Sequence, residues 1–206
     1  MWLARYRRLR ELGVLGLNER NFAYIARYNE RQNYPLVDNK LLTKEAAVSM
    51  PQIAVPALHG VIRLPSQIHA LPALLAPLSE FVIKPARGSG GKGIIVIVGR
   101  EGDFFLKPSG TQVSLAQIRH DVSNILSGVY SLGGKPDVAF VEALVHGDPY
   151  LEKYTFQGLP DIRVIVFKGF PVMAMMRCPT QSSDGKANLH QGAVGVGLDI
   201  CTGRAL

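Results

Sequence analysis

The sequence predicts an α+β fold in which most strands pair antiparallel. Three observations carry this. Short β-branched and aromatic runs, as at residues 164–167 and 172–176, are joined by turns too short for a crossover helix. Helical periodicity is confined to separate stretches, near the start and over residues 115–128. Hydrophobic residues make up 47% of the 206 and charged residues 19%, so the chain can bury a core and is not disordered.

Taken in order, Asn18 is placed to cap a helix with Glu19 in its first turn and Phe22, Ile25 and Ala26 on one face. Asp38 is a second N-cap candidate, opening a helix over 40–50 that stops before Pro51. A proline-punctuated stretch, 51–65, holds short β-type runs. Residues 67–78 carry a helical pattern broken at Pro72. Strands follow at 81–84, 94–98 and 104–106, then the helix over 115–128, then strands at 138–144, 164–167, 172–176 and 192–200. Lys168-Gly169 forms a tight turn between two of them. The expected organisation is an N-terminal helical segment, 1–50, a first lobe, 51–136, and a second lobe, 137–206, with the break near Asp137.

The formal net charge is +7, and residues 1–31 hold seven arginines against three glutamates. Such a chain meets anions. No basic run interleaved with aromatics predicts a nucleic-acid groove, and no apolar run has the length of a membrane span. The apolar stretch at 13–17 is too short for a signal peptide, so a cytoplasmic protein is expected. Cys178 and Cys201 lack the spacing of a metal site or a disulfide framework and are expected as buried free thiols.

The chemistry is concentrated in Gly88-Ser89-Gly90-Gly91-Lys92-Gly93. Gly88-x-Gly90-x-x-Gly93 has the dinucleotide spacing, but that motif opens a helix, and residues 94–98 read as a strand. A Walker P-loop would need glycine at Ala86 and Ser or Thr at Gly93. A kinase would need His-Arg-Asp and Asp-Phe-Gly segments, which the chain lacks. A strand–glycine loop–strand hairpin remains, with Lys84 at the end of its first strand. An ordinary hairpin with a surface lysine is the competing reading.

Wider motifs favour a nucleotide site. Asp38-Asn39-Lys40-Leu41-Leu42 with Lys44, then Pro56, Lys84, Val141-Glu142-Ala143-Leu144, Asp161-Ile162-Arg163 and Lys186-Ala187-Asn188-Leu189-His190-Gln191-Gly192 occur in that order. Together they resemble the ATP-grasp carboxylate–amine ligases, in particular the RimK-type α-L-glutamate ligases. The resemblance implies two α+β lobes holding ATP between antiparallel sheets, with Mg²⁺ as second cofactor.

By that resemblance Lys40 and Lys84 meet the phosphates from opposite sides, and Ser89, Gly90, Gly91 and Lys92 close over them. Glu142 and Ala143 offer edge-strand backbone groups to adenine, and Leu144 covers the ring. Asp161 reaches the ribose, although the long 146–160 segment leaves Asp148 as a rival. Arg163 and Arg177 steady the transferred phosphoryl group, for which a planar fork suits; a structural salt bridge is the alternative. Lys186 stands where the family has arginine, and Asn188 meets a phosphate or metal-bound water. His190 reads as a hydrogen-bonded structural histidine. The family's Glu-x-Asn metal pair does not follow Asn188, so the metal ligands are expected beyond Leu206, on strands missing from this chain. The implied function is ATP- and Mg²⁺-dependent ligation of an amino acid, glutamate first, to an amine acceptor. The alternative is a non-catalytic ATP-binding module.

Overall fold

The computed structural model describes residues 2–131, 133–156, 158–183 and 185–206, with side chains from Tyr6 onward. The chain forms two compact units, one ending at Asp38 and one beginning at Asn39. The first is helical: α1 (Trp2–Glu11), α2 (Leu17–Glu19) running into a π-helical turn (Arg20–Ala26), and α3 (Tyr34–Asp38). Asn18 lies inside α2 rather than capping it, since Gly16 is the cap residue, and Phe22 is exposed. Among the described residues no helix is long and apolar enough to cross a membrane.

The second unit opens with α4 (Lys40–Val48). Its cap is Asn39, one residue beyond the expected Asp38. The Asn39 Oδ1 accepts from the Leu41 and Leu42 amides at 3.0 and 3.3 Å, while Asp38 still belongs to α3. β1 (Leu58–Ile62) emerges from the proline-rich stretch. A 3₁₀ turn (Pro65–Ala70) leads into α5 (Leu71–Leu75), and Pro72 sits in its first turn, where a missing N–H costs nothing. Pro72 therefore starts a helix instead of breaking one.

β2 (Phe81–Pro85) and β3 (Ile95–Ile97) are the expected hairpin around the glycine loop. A small antiparallel sheet follows, from β4 (Gly99–Glu101), β5 (Phe104–Leu106) and β6 (Gln112–Val113). Ser114 caps α6 (Leu115–Leu126) by accepting from the Gln117 amide at 3.2 Å. β7 (Ala139–Glu142) inserts between β1 and β2, giving a four-stranded sheet ordered β1-β7-β2-β3. Strand alternation sends Phe81, Ile83 and Val141 to one face, where they bury with Leu71, Ile118 and Val122. The opposite face receives α4, held by Leu41 against Ala86 and Phe140.

After the short α7 (Pro149–Glu152), β8 (Asp161–Phe167) and β9 (Phe170–Cys178) form a hairpin, and β10 (Val194–Leu198) pairs with β9. Lys168 at φ 50° and Gly169 at φ 85° make the tight turn that matches right-handed strand twist. The sheet is antiparallel and largely open, with Ile162, Val166 and Phe170 exposed. Cys178 is buried and burial raises its thiol pKa, but Cys201 is exposed because it sits in the turn after β10.

Candidate functional site

The site is built on the face of the four-stranded sheet that α4 covers. Lys40 and Lys44 are one helical turn apart, so both project from the same side of α4. Register does the rest. Val82 pairs with Glu142 and Lys84 with Phe140, which makes Lys84 and Glu142 diagonal neighbours on adjacent strands. The fixed Phe140 contact with α4 shows that this diagonal faces the helix.

Glu142 is thus buried between two ammonium groups. Lys44 Nζ lies 2.8 Å from its Oε2, and Lys84 pairs with its Oε1. Lys44 also donates to the Pro56 carbonyl. Lys84 remains partly open to solvent, its side chain 30% exposed against 7% for Lys44.

Lys40 donates to the Gly88 carbonyl, and its own amide donates to the Ala86 carbonyl at 2.8 Å. Much of the Lys40 side chain stays exposed, yet its ammonium is tucked against the loop. Loss of water there lowers its pKa, Asp137 opposes the shift, and Lys84 reinforces it. Asp137 is itself buried. It accepts from the Arg87 amide at 2.9 and 3.0 Å, from Ser131 Oγ at 3.0 Å and from the Val138 amide at 2.8 Å. That carboxylate ties the exit of β2 to the entrance of β7. Three lysines around two carboxylates leave one positive charge in excess.

The loop itself turns on left-handed glycines, with φ of 63° at Gly90, 75° at Gly91 and 74° at Gly93. The Lys92 amide closes the turn on the Ser89 carbonyl at 3.2 Å, and Ser89 and Lys92 point to solvent. Across from the loop tip stands the segment before β10. Gln191 Nε2 donates to the Gly90 carbonyl at 3.1 Å, and a Cβ at Gly91 would lie 3.6 Å from the Asn188 amide nitrogen. Lys186 approaches the same glycine, its Cδ at 4.0 Å from that position. Gly90, Gly91, Lys186 and Asn188, read from separate motifs, meet here.

Other candidates are placed elsewhere. β7 is an interior strand and the Ala143 amide already donates to the Ala57 carbonyl at 2.8 Å, so the expected free edge for adenine is not at Glu142 or Ala143. The sheet order, not strand composition, decides that. Leu144 follows half-buried. Asp148 caps α7, its Oδ1 accepting from the Tyr150 amide at 2.8 Å. Asp161 and Arg177 are direct cross-strand partners, and Arg177 Nε donates to Asp161 Oδ1 at 2.6 Å with Nη2 on Oδ2. This fork raises the Arg177 pKa. Arg163, two residues on, pairs in register with Met175 and is exposed. His190 is exposed rather than enclosed.

The arrangement suits a polyphosphate: lysine ammoniums at a strand end and helix start, beside backbone N–H groups of a glycine turn. A hard divalent cation finds no such welcome among the described residues. Glu142 is held by two lysines, Asp161 by Arg177 and Asp137 by backbone amides, and no three His, Cys, Asp or Glu side chains gather at one point. These residues do not fit Mg²⁺, and no step is assigned to it. Lys44, Asp137 and Gln191 carry much of the geometry without standing out as site residues in the sequence. The Lys40–Lys44 spacing was a legible signal for the first; the other two act through contacts made far along the chain.

A family model described as sugar-transfer associated ATP-grasp matches residues 19–206, and the chain belongs to that family. No curated protein matches it.

Proposed function

We propose that this ATP-grasp chain binds ATP over Lys40, Lys84 and the glycine loop and uses it to join a carboxylate to an amine. The carrying observation is the convergence of Lys40, Lys84 and the 88–93 loop with Lys186 and Asn188 on one surface. A carboxylate oxygen attacks the γ-phosphorus, the bond to the bridging oxygen breaks, and ADP leaves. The amine nitrogen then attacks the acyl carbon, phosphate departs with the C–O electron pair, and the amine proton passes to solvent. Lysine charge and loop N–H groups hold the phosphates in line while charge moves onto the bridging oxygen. Of Arg163 and Arg177, exposed Arg163 is the fork offered to the acyl phosphate, because Arg177 is engaged by Asp161. Leu144 supplies apolar cover to the base.

The motif resemblance supports an amino acid, glutamate first, as the activated carboxylate. The family's association with sugar transfer supports an amine carried on a sugar as acceptor. A non-catalytic ATP-binding module is the second reading, favoured by the engagement of Glu142, Asp161 and Asp137. Incubation with ATP, Mg²⁺, glutamate and hydroxylamine separates the two. Ligase chemistry yields ADP and a hydroxamate in equal amounts; ATP binding with neither product leaves the module. Absence of ATP binding would sink both.

A further inference from the structure

Glu142 has two lysine partners of unequal standing. Lys84 is partly open to solvent, whereas Lys44 is as enclosed as the carboxylate itself, 7% against 4% exposed, and is pinned by the Pro56 carbonyl. A nucleotide phosphate cannot reach Lys44 without unpacking α4. A buried lysine is costly unless it is paired and hydrogen-bonded, and Glu142 and the Pro56 carbonyl meet both needs of Lys44.

We propose that Lys44 is a positioning residue for nucleotide binding, acting through Glu142 to keep the Lys84 charge available to a phosphate. This rests on the ATP-binding reading above. The carboxylate offers one oxygen to each lysine, so the trio carries a net positive charge. Lys44 satisfies and neutralises Oε2, and the Lys84 ammonium, with three donors, keeps bonds free for an incoming anion. Without Lys44, Glu142 has Lys84 as its sole counter-ion. The pair is then neutral, and a phosphate must compete with a buried carboxylate for the same ammonium. Pro56 fixes where the Lys44 charge sits, and Leu41, one turn away in the Phe140 cluster, fixes the helix that carries it.

The test uses the full chain and compares wild type, Lys44→Met, Lys44→Arg and Lys44→Met/Glu142→Gln for binding of ATP and of adenosine, the latter by displacement of a fluorescent ATP analogue. Lys44→Met is expected to weaken ATP by roughly tenfold, the worth of a charge-assisted contact, and to leave adenosine unchanged. Lys44→Arg retains the charge and binds ATP close to wild type. The double variant removes the carboxylate that would claim Lys84, so its ATP affinity returns toward wild type. It also keeps the inference open to refutation if Lys44→Met alone does not fold, because it takes out an ion pair as a unit. Equal losses for ATP and adenosine, an unchanged Lys44→Met, or a double variant that stays weak would each overturn the role. Wild-type protein that binds no ATP overturns the functional reading first and this inference with it.

Discussion

Gln191 donates its side-chain amide to the Gly90 carbonyl at 3.1 Å, a contact between the tip of the glycine loop and the segment that leads into β10. The same Gln191 has its Oε1 enclosed and, among the described residues, without a hydrogen-bond partner. A loop so held is restrained at its tip while Ser89 and Lys92 stay open to solvent. Gln191→Ala should therefore speed amide exchange at Gly90–Lys92 several-fold, as expected for a hydrogen bond worth about 0.5–1.5 kcal/mol. Adding ATP should slow exchange there in wild type. Exchange that ignores both changes would mean the contact does not order the loop.

Lys84 and Lys92 make a second contrast. Lys84 leaves a buried strand and is aimed by Glu142, while Lys92 sits exposed on the turn closed by its own amide. Lys84→Ala should cost about 1.5–3 kcal/mol in ATP affinity, and Lys92→Ala a small fraction of that. Equal losses in nucleotide titrations would remove Lys84 from the phosphate site.

The glycines of the loop differ in what they tolerate. A Cβ at Gly93 would lie 2.4 Å from the Tyr130 ring, on a backbone with φ of 74°. At Gly90, with φ of 63°, nothing stands within 4 Å. Gly90→Ala then costs only the left-handed backbone, about 1–2 kcal/mol, and Gly93→Ala adds about 1–3 kcal/mol for displacing the ring. Urea midpoints should fall in that order. A Gly93→Ala protein as stable as Gly90→Ala would show that Tyr130 moves freely.

The depressed pKa of Lys40 has consequences of opposite sign for folding and for binding. The folded state releases the Lys40 proton more readily than the unfolded chain, so between the lowered value and the ordinary 10.5 stability rises with pH. A bound phosphate adds negative charge beside Lys40, Lys84 and Asp137 and draws the Lys40 pKa back up. ATP affinity should consequently fall as pH rises through the free-state value. Lys40→Met should flatten that alkaline limb in titrations over the same range; a limb that persists belongs to another group.

Much of this could be read from residue order because the signals are local. Gly88 to Gly93 between two β-branched runs specifies a hairpin, since left-handed glycines and strand propensity act within a few residues. Lys168-Gly169 specifies its turn for the same reason, and Lys40 and Lys84 are placed by the ends of the elements that bear them. The tertiary structure decided what these groups face. Glu142 meets its neighbours through its carboxylate, because β7 lies inside the sheet and its register puts that side chain diagonal to Lys84 under α4. Asp161 and Arg177 neutralise each other because strand register sets them opposite, sixteen positions apart in the chain. Gln191 reaches Gly90 across 101 positions of the chain. Register, sheet order and helix docking are properties of the packed whole, and periodicity in one segment carries no information about which other segment will lie beside it.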